Sequence, residues 1–173
     1  VLGQQITVAA ARTLAQHLLE TFGEAIETPE PLVQRLFPTP QALMAAQSHE
    51  LGAIGIVRQR QAAIQGLARG VADGSLDLSG HADLTQTLHQ LQSLSGIGPW
   101  TAEMVAMRGL GDPDAFPATD LGVVAAARQL GLPTAPKDLM ERSNRWQPWR
   151  SYATQHLWTA LDHAVNQWPP KEK

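Results

Sequence analysis

The chain has 173 residues, 43% of them hydrophobic, a formal net charge of −3 and no cysteine. This length fits one domain, or one domain plus a fragment, and the apolar share is enough for a core. The lack of cysteine excludes disulfides, iron–sulfur clusters and cysteine-based zinc sites. With no long apolar run, no membrane span is expected. A negative chain also lacks the basic footprint of bulk nucleic-acid binding, so any such contact must come from local geometry.

No segment alternates apolar and polar residues over strand length, so the reading is all-α. A first helix is expected from about Leu2 to Thr21, with Ile6, Ala10, Leu14, Leu18 and Phe22 on one face and Gly23 as the stop. After a proline-rich loop (Pro29, Pro31, Pro38), Thr39 caps a short helix with Pro40 at its first position, and Ser48 is expected to cap another. A turn at Gly52 and Gly55 leads to a helix over about Val57 to Ala72. Asp83 opens a helix through Leu91, Pro99 one through about Arg108, and Asp120 one through about Leu130. Two more are expected near Pro136–Trp146 and Pro148–Val165, followed by a disordered tail over 169–173. No signal-peptide pattern opens the chain. It begins without Met in sequence that already reads as helix, so an upstream segment is expected.

The string from Leu91 to Ala102, Leu-Gln-Ser-Leu-Ser-Gly-Ile-Gly-Pro-Trp-Thr-Ala, predicts two helices meeting across a glycine hairpin. Glycine permits positive φ and close approach of another backbone. Ile97 can anchor the loop, while the amides at Gly96, Gly98 and the start of the next helix point outwards. Such a helix N-terminus binds phosphate without basic side chains. Read alone, the same string is an ordinary glycine turn between packed helices.

This hairpin (about 91–108), with Asp120 about twenty residues further on in the segment 116–130, resembles the helix-hairpin-helix DNA glycosylase superfamily. Within it the string is similar to the AlkA type, the DNA-3-methyladenine glycosylase II enzymes. Three further segments carry the likeness: Leu2-Gly3-Gln4-Gln5-Ile6-Thr7, Met107-Arg108-Gly109, and Trp146 to Ala153 with His156-Leu157-Trp158. The resemblance implies a helical core over 1–168 with two lobes flanking a cleft. The family's N-terminal β domain is absent from this chain.

It also implies a repair enzyme that flips alkylated bases such as 3-methyladenine out of duplex DNA and hydrolyses the N-glycosidic bond. Asp120 falls on the superfamily's catalytic aspartate. Cationic alkylated purines leave without protonation, so one carboxylate beside the developing oxocarbenium suffices, as electrostatic stabiliser or by activating water. A helix N-terminus favours negative charge there; a plain helix cap is the other reading of Asp120. Lyase members carry a Lys where Trp100 stands, which implies a monofunctional enzyme with no Schiff base.

Trp100, Met104 and Trp158 are expected to line the base pocket, the indoles attracting a cationic base; core packing is the alternative for both tryptophans. Gly96, Ile97, Gly98 and Thr101 form the expected DNA-binding hairpin. Gln4 and Gln5 are expected to fill the gap left by the flipped nucleotide, or else to lie on a polar helix face. No cofactor is required, but the resemblance places a structural Na⁺ or K⁺ on the backbone carbonyls of Gln92, Leu94 and Gly96.

Asp112 and Asp114 are read as solvated turn acids, and Trp146 and Trp149 as core. Arg150 is either a phosphate contact or a carboxylate partner, and Arg108 bonds backbone or acid locally. The six histidines are scattered without a metal-ligand pair. A monomer acting on damaged duplex DNA in the cytoplasm, at the bacterial nucleoid, is expected. A non-catalytic DNA-holding module, or a same-fold glycosylase for another lesion, remain as alternatives.

Overall fold

Helix follows helix from Thr7 onward in the computed structural model, which describes residues 1–161. The order is α1 (Val8–Phe22), α2 (Pro40–Ala45), α3 (Ser48–Ala53), α4 (Arg58–Ala72), α5 (Leu84–Ser93), α6 (Pro99–Gly109), α7 (Leu121–Gln129), α8 (Pro136–Ser143), a 3₁₀ turn (Asn144–Trp146) and α9 (Arg150–Thr159). Among the described residues no strand forms, and Ala25 and Arg35 make an isolated antiparallel bridge. No helix among them is long and apolar enough to cross a membrane. The all-helical expectation holds.

Several boundaries differ from the expectation for local reasons. The first helix starts at Val8 instead of Leu2, because the Thr7 hydroxyl accepts from the Ala10 amide at 3.2 Å and caps it there. Residues ahead of Thr7 form turns. Ser48 does not cap α3; Gln47 does, and the Glu50 carboxylate reaches back to the Gln47 amide at 2.7 Å. Ser48 is freed to donate to the Gln61 side chain at 2.6 Å. The helix near Pro136 ends at Ser143 and tightens into the 3₁₀ turn, and α9 begins at Arg150. The expected continuation to Val165 and the expected disordered tail lie outside the described residues.

The chain divides into two compact units, Val1–Leu78 with Thr85–Ile97, and Ser79–Leu84 with Gly98–Lys173. The division falls inside the glycine hairpin, between Ile97 and Gly98. In the first unit Leu18, Leu43, Leu51, Ile56 and Ile64 form the core. None of its helices exceeds 15 residues, so their stability comes from this burial more than from propensity. In the second unit Phe116, Val123, Ala126, Leu139 and Leu157 form the core, and Trp146 meets Phe116 edge-on at 5.8 Å. Trp149 is not core as expected: it is 58% exposed and pairs edge-on with the equally exposed Tyr152.

Candidate active site

The carboxylate expected to matter is held by three N–H donors. Asp120 is the N-cap of α7, and its Oδ1 accepts from the Val123 amide at 2.9 Å, so the helix-cap reading is correct as far as it goes. Two tryptophans then complete the grip. Trp158 Nε1, from α9, donates to Oδ1 at 2.8 Å, and Trp100 Nε1, from the first turn of α6, donates to Oδ2 at 2.9 Å. Hydrogen bonds to an ionised acceptor are the stronger kind, and three of them fix the plane of the carboxyl group. Of about four lone-pair sites on a carboxylate, these bonds occupy both on Oδ1 and one on Oδ2.

The two indoles expected as pocket walls are thus also ligands of the carboxylate through their polar edges. Trp100, Met104 and Trp158 are all partly buried. The Arg108 guanidinium lies 5.3 Å from the centre of the Trp158 ring, so Arg108 is a cation–π partner and not a local backbone or acid contact. That pairing spans fifty residues and has no local signal in the sequence.

The loop leading to Asp120 is bolted to the start of α9. Arg150 clamps Asp114 with two bonds, Nε to Oδ1 at 2.8 Å and Nη2 to Oδ2 at 2.7 Å. Asp114 is therefore an ion-pair member and not a solvated turn acid, and of the two readings of Arg150 the carboxylate partner is the one seen. The Asp112 carboxylate accepts from the Asp114 amide at 2.8 Å, so it too is engaged within the loop. Ser151 Oγ donates to the carbonyls of Asp112 and Ala115. Hydrogen bonding to Arg150 holds the Asp114 carboxyl below its ordinary range. Burial pushes Glu103 the other way, upward, while its Oε2 accepts from the Phe116 amide at 2.9 Å. Sequence reading missed Glu103; a lone acid inside the α6 pattern was the available signal.

On the first unit, the hairpin is shaped by one glycine in particular. Gly96 has φ +84°, and a Cβ there would lie 2.9 Å from the Ala63 Cβ on α4. Ile97 is buried, as an anchor should be, and its amide donates to the Leu94 carbonyl at 3.0 Å. Gly96 is exposed. On the second unit Gly98, also exposed, is the N-cap of α6 and has no side chain with which to cap its first amides. Thr101 is only 6% exposed, so it sits inside the protein and not on the hairpin's outer surface.

Gln4 and Gln5 are not on a helix face, since they precede α1. Gln4 Nε2 donates to the Gly96 carbonyl at 2.9 Å, and Arg60 Nη2 donates to the Gln4 carbonyl at 2.9 Å. Gln5 is exposed with φ +55°, a left-handed conformation that costs a side-chain-bearing residue about 1–2 kcal/mol. Of the three carbonyls assigned to a cation, Leu94 accepts from Ile97 and Gly96 from Gln4. Each keeps a second lone pair for a further contact.

Comparison with known proteins bears on what this arrangement is for. The model of the HhH-GPD superfamily of base excision DNA repair proteins matches residues 1–151. The chain is 47% identical over its whole length to the probable bifunctional transcriptional activator/DNA repair enzyme AlkA of Mycobacterium tuberculosis, covering 34% of that protein. It is 36% identical over 159 residues to DNA-3-methyladenine glycosylase 2 of Escherichia coli, covering 91% of this chain and 54% of that one. It thus spans between a third and about half the length of these relatives. Among solved structures, the 3-methyladenine DNA glycosylase of Archaeoglobus fulgidus superposes with a TM-score of 0.76 at 28% identity, covering 91% of this chain and 54% of the other.

Proposed function

The chain belongs to the HhH-GPD superfamily of base excision DNA repair proteins, and from that premise we propose that it excises alkylated bases, such as 3-methyladenine, from duplex DNA. The relatives named as 3-methyladenine glycosylases support the substrate class. The observation that carries the reading is the Asp120 carboxylate, held at a helix N-terminus by two indole N–H groups. A module that only holds DNA has no use for such a group.

The chemistry is plain hydrolysis. The damaged nucleotide is flipped out at a cost of about a few kcal/mol. As the cationic base leaves as a neutral molecule, its positive charge passes to the sugar; Asp120 stabilises that charge from a fixed position, and water adds to C1′ and gives up a proton. Trp100 stands where lyase members have their amine, so no Schiff base forms and the enzyme is monofunctional. Trp100 and Met104 are the first walls for the base. The Trp158 ring already receives Arg108, which weakens its pull on a second cation.

Gly98 and the first amides of α6 would take a DNA phosphate, which offsets the unfavourable net charge. Gln5 is the group offered to the gap in the duplex, on a loop tied down by Gln4. The carbonyls of Gln92, Leu94 and Gly96 would hold a Na⁺ or K⁺ that steadies the hairpin, and no step of the reaction depends on it. A monomer suffices for this chemistry.

The test is base release from methylated duplex DNA by the wild type and by Asp120→Asn. Wild-type release of 3-methyladenine or 7-methylguanine, with the variant binding DNA but at least about a hundredfold slower, supports the reading. Equal release by both, or DNA binding without release by the wild type, overturns it; the second result identifies a DNA-holding module.

A further inference from the structure

We infer that Gly122 is a positioning residue for Asp120, kept side-chain-free so that the Trp158 indole can reach the carboxylate. The inference rests on the proposed role of Asp120 and adds a residue to it. Gly122 is the second residue of α7, with ordinary helical backbone, so no positive φ calls for glycine there. Glycine inside a helix is disfavoured relative to alanine. What the position lacks is room. A Cβ on Gly122 would lie 3.0 Å from Trp158 Cδ1, 3.1 Å from Trp158 Nε1 and 3.1 Å from Asp120 Oδ1.

Those last two atoms are donor and acceptor of the 2.8 Å bond between indole and carboxylate. A methyl group would therefore press on both ends of that bond at once. The indole has little freedom to yield, since it packs against the Phe116 and Leu157 cluster and carries Arg108 on its ring. Asp120 is fixed in turn by Val123 and Trp100. A group whose task is to face a developing charge from one place is sensitive to shifts of this size; a misplacement of about 1 Å can lower a rate about a hundredfold.

Gly122→Ala in the full 173-residue chain tests this with two readouts. The first is the set of ¹⁵N indole N–H resonances, assigned with Trp158→Phe and Trp100→Phe. The Trp158 signal in Gly122→Ala should move upfield and exchange faster with water, while the protein stays folded with a lowered melting temperature, the better helix former offsetting part of the strain. The second is single-turnover release of methylated bases, expected to fall about tenfold to a hundredfold with duplex affinity unchanged. Gly122→Ala placed on Trp158→Phe should add little, because the bond it disturbs is already gone. An unshifted Trp158 signal, or full additivity of the two substitutions in release, overturns the inference. If the wild type releases no base, the proposed reaction fails, and the indole resonance alone then decides whether Gly122 sets the Trp158–Asp120 bond.

Discussion

The side-chain amide of Gln4 donates to the carbonyl oxygen of Gly96 at 2.9 Å, across 92 positions of sequence. Arg60 holds the other end of the same residue through the Gln4 carbonyl. The loop that presents Gln5 and the loop expected to meet a phosphate are thus one tied structure. Gln4→Glu replaces the donor with a carboxylate aimed at a carbonyl. We expect it to lower stability by about 1 kcal/mol, a melting-temperature drop of about 2–4 °C, and to weaken duplex binding by up to about tenfold. Calorimetry and fluorescence anisotropy measure the two effects; wild-type values for both would show the tie to be idle.

The hairpin glycines should behave unequally. Gly96 combines φ +84° with a Cβ position 2.9 Å from Ala63, whereas a Cβ on Gly98 meets nothing within 4 Å. Gly96→Ala should cost about 2–3 kcal/mol, which is about 4–12 °C in melting temperature. Gly98→Ala should melt like the wild type yet bind duplex less well, because the methyl adds bulk to the exposed turn expected to meet a phosphate. If both variants melted alike, the shape of this turn would rest on something other than Gly96.

The contrast shows what was legible in the sequence. Punctuation was: Thr39-Pro40, Gly98-Pro99 and Asp120 each mark a helix start that the structure shows, because caps and proline act locally. Thr7 is equally a cap residue, but the apolar pattern runs on through Leu2 and Ile6 and hides the boundary there. Partnerships between distant residues were not legible. Nothing near Asp114 announces Arg150, and a tryptophan reads the same whether its face or its N–H does the work. Asp120 and Trp158 were both singled out, but the bond between them needed coordinates.

The Arg150–Asp114 clamp joins α9, which carries Trp158, to the loop that leads to Asp120. Both side chains are partly exposed, at 18% and 25%, so solvent and salt reduce the value of the pair. Asp114→Asn should cost about 1 kcal/mol at low salt and less at high salt. Its effect on base release should exceed its effect on stability, since a loosened loop displaces the Asp120 segment. Release that falls only in step with the folded fraction would confine the clamp to a stabilising role.

Glu103 gives a pH signature. Burial, helped by the nearby negative charges of Asp112 and Asp114, raises its carboxyl above the ordinary range, while Arg150 and the Phe116 amide act against the shift. A raised carboxyl binds its proton more tightly when folded than when unfolded. Its contribution to stability is thus fully present below the ordinary carboxylate range and is lost as pH rises through the raised value. Asp114 runs the other way: its lowered value gives stability that is present above the ordinary range and lost as pH falls through it. Glu103→Gln keeps an oxygen to accept the Phe116 amide but has no charge to bury. Its melting temperature should match the wild type at about pH 4 and exceed it at about pH 8. A scan between those limits in which the two proteins stay parallel would mean that the Glu103 charge is solvated in the folded protein.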